Sequence, residues 1–246
     1  MQNRNTAQTI VNDKSLFHIH TFRCGHAEKI SDEAYVTCAL ELGATDLWFS
    51  DHTPFPGDPF RSRMRYSQLQ EYINTLYALK QQYADQLNIH IGLEIEYFPS
   101  FDAMGYYHEL KANRKIEFLL LGQHMAELSP SCFSFSMNHE WRDENEYKVL
   151  SNAIIDGIQS GYFDFTAHPD RIFRRCKMWN ADMEQVAVNI IRAAVEYQIP
   201  LEKNESSRRQ KHAYWPEFWD LALDNQDIRV VHGLDAHSVA GLKFAN

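Results

Sequence analysis

Along the chain, short apolar runs alternate with stretches of helical period. "LFHIH" at 16–20 reads as a strand. The stretch 31–43 reads as a helix, with Ser31 as its cap, Asp32 and Glu33 in its first turn and Gly43 at its end. "DLWFS" at 46–50 is the next strand. The stretch 66–87 predicts a long helix with Leu69, Tyr72, Ile73, Leu76, Tyr77 and Tyr83 on one side. There follow a strand at 89–97, a short helix near 101–112, a strand at 118–124, a helix near 143–160 and a strand at 162–168. The clearest helix spans 181–197, where Met183, Val186, Ala187, Ile190, Ile191 and Ala194 keep i, i+3, i+4, i+7 spacing. "IPLEKN" and "IRVVHGLDAH" supply the last two strands, separated by a Trp-rich helix near 215–225.

Seven strands alternating with helices predict a mainly parallel sheet. The polar residues follow this order. His18 and His20, Asp51 and His52, Glu94 and Glu96, His124, His168, Asn204, and Asp235 and His237 each lie at the C-terminal end of a different strand. In an α/β barrel those ends converge on one face, where active sites are built. An open doubly wound sheet would gather them less evenly. The expected fold is therefore a distorted, seven-stranded, TIM-like (β/α) barrel, with residues 1–246 forming a single domain.

In a strand, residues i and i+2 point the same way. His18-x-His20 and Asp235-x-His237 each aim two donors at one spot, and His26, after a turn at Gly25, can fold back over the barrel mouth. A lone strand-end histidine is most often a hydrogen-bonded structural residue. Here seven of the twelve histidines gather at strand ends or their loops, with carboxylates alongside. A core does not tolerate so many polar groups unless something satisfies them, and imidazole with carboxylate suits zinc, iron or manganese. His90, His108, His139, His212 and His232 fall off the pattern and read as surface residues or as residues behind the ligands.

Composition narrows the picture further. A net charge of -9 and a pI near 5.7, with no basic stripe, speak against a long nucleic-acid tract as partner. No apolar run is long enough for a membrane span, and the polar N-terminus lacks the apolar segment of a signal peptide. Cys24, Cys38, Cys132 and Cys176 form no CxxC pair, which suits reduced thiols in a cytosol. A cytoplasmic protein is expected; its oligomeric state is not legible.

The motifs "HIH" with "CGHA", "SDH", "GLEIEY", "GQH", "AHPD" and "GLDAH" occur in that order. The chain resembles the PHP superfamily (polymerase and histidinol phosphatase domains) from about residue 15 to residue 240. The resemblance implies a trinuclear site of divalent zinc, iron or manganese. His18, His20, Glu94 and Asp235 would hold the first metal. Glu94 would bridge to a second, held also by His124 and His168, and His26, His52 and His237 would hold the third. Within the superfamily, "HTFRCGHA", "SDHTPFP", "RMRYSQLQEYI", "GLEIEYFP", "AHPDRIFRR" and "EKNESSRRQKHAYWP" are similar to the histidinol-phosphate phosphatase branch. The chain departs from that branch at Gln123 and Leu234, where serine is usual, and at Ser207, where glycine is usual. These positions bear on substrate identity more than on metal binding.

The resemblance implies hydrolysis of a small phosphate monoester, L-histidinol phosphate, by a hydroxide held between two metals. Catalytic roles would fall to Asp235, Glu94 and His237, with Asp235 taking the proton of water. The leaving alkoxide would rely on the third metal or on an acid such as a nearby histidine. Glu96 shares the strand face of Glu94 and is expected to orient a ligand rather than bind metal. Arg171, Arg174 and Arg175 after the fifth strand, and Arg208 and Arg209 after the sixth, are candidate phosphate clamps. The segments 53–67 and 126–141 are candidate lids. The rival readings are another phosphoesterase on the same barrel (a nucleotide 5'-phosphatase, an oligonucleotide exonuclease or a phosphotyrosine phosphatase) and a non-catalytic metal-binding module.

Overall fold

The computed structural model describes residues 11–136, 139–140, 145–210 and 213–245. Seven parallel strands form one sheet: β1 (Ser15–Ile19), β2 (Asp46–His52), β3 (Asn88–Ile95), β4 (Phe118–Leu121), β5 (Phe165–Thr166), β6 (Leu201–Asn204) and β7 (Val230–Gly233). They neighbour one another in chain order. The chain after β7 turns back onto β1: Leu234 N donates to Phe17 O at 2.8 Å, Ala236 N to His18 O at 3.0 Å, and His20 N to Ala236 O at 2.9 Å. The sheet thereby closes on itself as the expected distorted barrel.

The helices are α1 (Asp32–Glu41), α2 (Leu69–Gln82), α3 (Pro99–Ala103), α4 (Tyr106–Ala112), α5 (Glu146–Ser160), α6 (Ala181–Glu196), α7 (Glu205–Arg209) and α8 (Pro216–Leu223). Three expectations need correction. The helix expected over 66–87 stops at Gln82 and buries Leu79, whereas Tyr77 is exposed beside Lys115. The helix expected over 101–112 is two short ones, broken at Gly105 in the left-handed region (φ 79). The strand expected over 162–168 shrinks to β5, and His168 leaves it at φ 28, ahead of Pro169. A following proline disfavours the right-handed helical region.

Side chains alternate across the sheet with period two. Leu47, Phe49, Ile89, Ile91, Leu93, Ile95, Leu119, Leu121 and Leu201 face outward into the main core beneath the helices. A second cluster, Phe17, Trp48, Phe118, Leu120, Phe165 and Ala167, is buried on the opposite, inner face of the strands. Its rings sit edge-on and tilted, with centroids 5.0 Å apart for Phe17–Phe165 and 5.2 Å for Trp48–Phe118. His90 belongs to this end. It is buried, stacks on Trp48 at 3.9 Å, and sits 3.0 Å from Asp46 and 3.4 Å from Glu117. It is thus neither a surface residue nor a neighbour of the ligands. His108 and His232 are exposed; His212 and the side chain of His139 lie outside the described residues.

Among the described residues no helix is long and apolar enough to cross a membrane. Cys24, Cys38 and Cys132 are free thiols.

Candidate metal centre

The inward parity that plugs one end of the barrel delivers donors at the other. On β3 the sequence of inward positions is His90, Gly92, Glu94, Glu96. The same step carries Trp48 to His52 on β2 and Phe118 to His124 from β4. β1 needs an irregularity. Regular alternation would place Phe17 and Ile19 on one face, yet Phe17 lies in the inner plug and Ile19 in the outer core. A bulge between them, with His18 at φ 70, restores the phase so that His18 and His20 both face inward. Asp235 (φ 50) and His168 (φ 28) are also left-handed. Such conformations cost a non-glycine residue about 1–3 kcal/mol and gather at functional sites.

Glu94 is the hub. One carboxylate oxygen, Oε1, lies 2.9 Å from His168 Nε2 and 3.5 Å from His124 Nε2. The other, Oε2, lies 2.8 Å from His52 Nδ1, 3.5 Å from His18 Nε2 and 3.6 Å from His20 Nε2. Asp235 Oδ1 is 3.1 Å from His20 Nε2 and 3.8 Å from His18 Nε2. Among the described residues, donor atoms within 4.8 Å of one another form four groups: His18, His20 and Asp235; His52, Glu94 and His124; His20, His52 and His237; and Cys24, His26 and His237. All nine expected ligands therefore meet at one end of the barrel. His52 sits nearer Glu94 and His124 than a strict assignment to the third metal implies. His26 is exposed at the mouth, its ring 4.5 Å from that of His237.

Partners behind the ligands fix their orientation. His18 Nδ1 donates to Glu202, 2.6 Å away and fully buried. The other Glu202 oxygen accepts from His168 N and Asn204 Nδ2, both at 3.0 Å. Asp51 accepts from Thr21 and His52 N and lies 3.6 Å from His20 Nδ1. Glu96 faces His124 Nδ1 at 3.1 Å and is gripped by both Arg63 terminal nitrogens at 2.9 Å. Two glycines make room: a Cβ on Gly122 would collide with Glu94 Oε1, and one on Gly233 with Glu202 Oε1. Sequence reasoning anticipated Glu96 but missed Glu202 and Arg63. Glu202 was legible in principle, since it shares the strand face of Asn204; Arg63 lies in a loop with no period to betray it.

Electrostatics separates the histidines. Burial lowers His52 and His237 to about 3, so both are neutral donors. Burial opposes protonation of His20 too, but Asp235 and Asp51 outweigh it and raise it to about 9. His18 is raised for the same reason, burial being overcome by Glu202, Glu94 and Asp235. Burial would raise Glu94; His124, His52 and His18 instead hold it well below the usual carboxylate range. The Cys24 thiol is pushed up to about 12, by burial first and then by Asp51.

Several buried atoms here have no hydrogen-bond partner: His18 Nε2, both ring nitrogens of His20, Glu94 Oε2 and His237 Nε2. Leaving a buried polar atom unpaired costs about 1–3 kcal/mol, and these point together. Divalent cations satisfy them at once, and a set of imidazoles and carboxylates fits zinc, iron or manganese.

A cavity of about 290 Å³ opens over the site. Segment 53–67 lines it with Phe60, Arg61, Ser62 and Arg63. Arg171, Arg174 and Arg175 line the other side, beside Asp235 and His237. Arg171 is 3.3 Å from Asp235, Arg174 donates to His124 O at 3.2 Å, and Arg175 is 2.7 Å from the buried Glu146. Arg208 and Arg209 do not line this cavity. Both face solvent on α7 and pair with Glu205, and Arg209 lies over the Phe244 ring. The second candidate lid, 126–141, forms a hairpin of Glu127–Ser129 with Cys132–Phe133, and Phe133 packs against Phe60; part of it lies outside the described residues. The departures at Gln123 and Leu234 are structural. Gln123 braces Tyr97 N and Met125 O, and Leu234 packs outward against the main core.

A model of the PHP domain matches residues 17–206. A Deinococcus radiodurans protein named "Probable histidinol-phosphatase" is 28% identical over 244 residues, covering 93% of this chain and 89% of its own. The histidinol-phosphatase of Bacillus subtilis is 26% identical over 258 residues, with 93% and 95% covered. The crystal structure of histidinol phosphate phosphatase from Lactococcus lactis, complexed with zinc, L-histidinol and phosphate, superposes with a TM-score of 0.72 at 18% identity, covering 95% of this chain and 94% of that one.

Proposed function

The chain belongs to the PHP domain family, and from that premise we propose that it is a metal-dependent phosphomonoesterase whose substrate is L-histidinol phosphate. The observation that carries the reading is the convergence of nine donor side chains, several with buried unpaired atoms, on the floor of an arginine-lined cavity. The names of the bacterial relatives and the ligands of the Lactococcus structure support the substrate.

In this reading three divalent cations of zinc, iron or manganese would be held by His18, His20, Glu94 and Asp235; by Glu94, His124 and His168; and by His26, His52 and His237. Bound there, they lower the pKa of water and offset the charge that builds on the phosphoryl oxygens. The protein supplies the rest. Glu94, with one carboxylate oxygen toward His124 and His168 and the other toward His18, His20 and His52, would serve two of the cations. Asp235, beside Arg171 at the cavity wall, would accept the proton of the attacking water; His237, a neutral imidazole with Nδ1 on the Asp235 carbonyl, would serve the leaving group as a holder of the third cation rather than as a proton donor. Arg171, Arg174 and Arg175 receive the phosphate, a dianion that a guanidinium fork fits closely. The partner is a small phosphate monoester in the cytoplasm.

The test is a phosphatase assay of chelator-stripped protein reloaded with zinc, manganese or iron, on histidinol phosphate, nucleoside 5'-monophosphates, phosphotyrosine and short 5'-phosphorylated oligonucleotides. Histidinol phosphate should have the highest kcat/KM. A competitor better by about tenfold or more, some 1.4 kcal/mol of transition-state binding, overturns the substrate assignment.

A further inference from the structure

Cys24 is fully buried, yet it belongs to neither apolar cluster of the protein. It ends a short turn, Phe22–Cys24, and Gly25 (φ 83) reverses the chain so that His26 returns to the same side. The Cys24 sulfur accepts Ala27 N at 3.3 Å and lies within 4.8 Å of a ring nitrogen of His26 and of His237. The Nδ1 atoms of both histidines face backbone carbonyls, His26 that of Cys24 at 3.2 Å and His237 that of Asp235 at 3.1 Å. This leaves Nε2 on each ring for a ligand, and His237 Nε2 is buried without a partner. Zinc binds sulfur at about 2.3 Å and imidazole nitrogen at about 2.0 Å, so three donors this close are within a small side-chain adjustment of one ion.

We propose that Cys24 is a sulfur ligand of the outermost cation, joining His26 and His237 beside His52 in a set that favours zinc over manganese there. The inference rests on the metal-centre reading above and deepens it. All nine expected ligands offer nitrogen or oxygen, donors that zinc, iron and manganese share; a thiolate discriminates, because soft sulfur suits zinc and manganese prefers oxygen. On binding, the S–H bond breaks, the proton passes to solvent, and a sulfur–metal bond forms with no change of oxidation state. Histidines 26 and 237 hold the ion at the mouth, where His26 alone is exposed, and the buried sulfur anchors it from below.

Cobalt(II) reports sulfur ligation by a charge-transfer band in the near ultraviolet that nitrogen and oxygen ligands do not produce. The stripped full-length chain is titrated with cobalt(II). The wild type should develop this band, and the variant C38S/C132S/C176S, which keeps only Cys24, should retain it. C24S should lose it while the visible bands of the remaining sites persist. In equilibrium dialysis against zinc and manganese together, C24S should bind a lower zinc-to-manganese ratio at its outermost site. Visible bands without the sulfur band in the wild type, or an equal sulfur band in C24S, overturn the assignment of Cys24 and leave the metal centre standing. No cobalt bound at all overturns both. The triple variant keeps the test decisive if C24S fails to fold.

Discussion

The two ends of the barrel interior are built by the same strands with the same inward parity, and they differ in almost everything else. At the N-terminal end Phe17, Trp48, Phe118 and Phe165 fill the space with rings, and the one histidine, His90, has a carboxylate at each nitrogen. At the C-terminal end the inward positions are imidazoles and carboxylates, and five buried atoms there lack a hydrogen-bond partner. One end is complete as folded; the other is complete only with cations. The strands can serve both because the plug and the outer core hold the fold without help from the site. The difference predicts that the site can be damaged without unfolding the barrel, and the plug without rebuilding the site.

The largest effect should come from Glu94→Gln. It removes the charge that touches five histidines, so turnover should fall below detection and metal content should drop, with the circular dichroism of the barrel unchanged. Glu96→Gln should weaken activity only, and equal losses would show that the hub is misassigned. At the other end, Phe118→Ala should cost about 3–5 kcal/mol of stability in denaturant unfolding. Its metal content at saturation should equal that of the wild type; loss of metal would mean that the two ends are not independent.

Glu202→Gln should lower metal affinity about 10- to 100-fold in chelator competition, the usual loss when the partner of a ligating histidine is removed. Gly233→Ala should reproduce that loss, because its Cβ occupies the place of the Glu202 carboxylate. A wild-type affinity in either variant would refute the orienting role.

Metal loading should also depend on pH with a definite sign. His20 in the metal-free protein titrates at about 9, above its ordinary 6.5, and His18 is raised as well. Their protonation therefore stabilises the metal-free fold fully below about 6.5, and that contribution is lost as pH rises through 9. Cations must displace these two protons, so affinity should climb with pH across that window. Calorimetry near neutral pH, in buffers of different ionisation enthalpy, should count about three protons released, two from His18 and His20 and one from the Cys24 thiol. The smallest effect should be that of Arg209→Ala. Its exposed pair with Glu205 lies off the cavity, and such pairs contribute about 0–1 kcal/mol. KM should change by less than the change produced by Arg174→Ala; the reverse order would restore Arg209 as a phosphate clamp.

Much of this was determined by the sequence alone. The alternation of apolar runs and helical periods dictated seven parallel strands, because each apolar face has to be buried and only a parallel sheet under helices buries them all. Once the strands were placed, their C-terminal ends named the candidate ligands, since period two aims residues such as His18 and His20, or Asp235 and His237, at one side. Tertiary structure decided what periodicity cannot express. The bulge at His18 puts Phe17 and His18 on one face, against strict alternation, because the plug and the site both claim the inside of β1. Glu202 becomes the partner of His18 only through closure of a barrel that brings residues 184 positions apart to 2.6 Å. The loop arginines sort by burial and pairing rather than by proximity in sequence. Arg63 is drawn in by Glu96, whereas Arg208 and Arg209 are held outward by Glu205. Local pattern sets which way a side chain points along its own strand; the company it keeps there is set by strands and loops that only the closed barrel brings together.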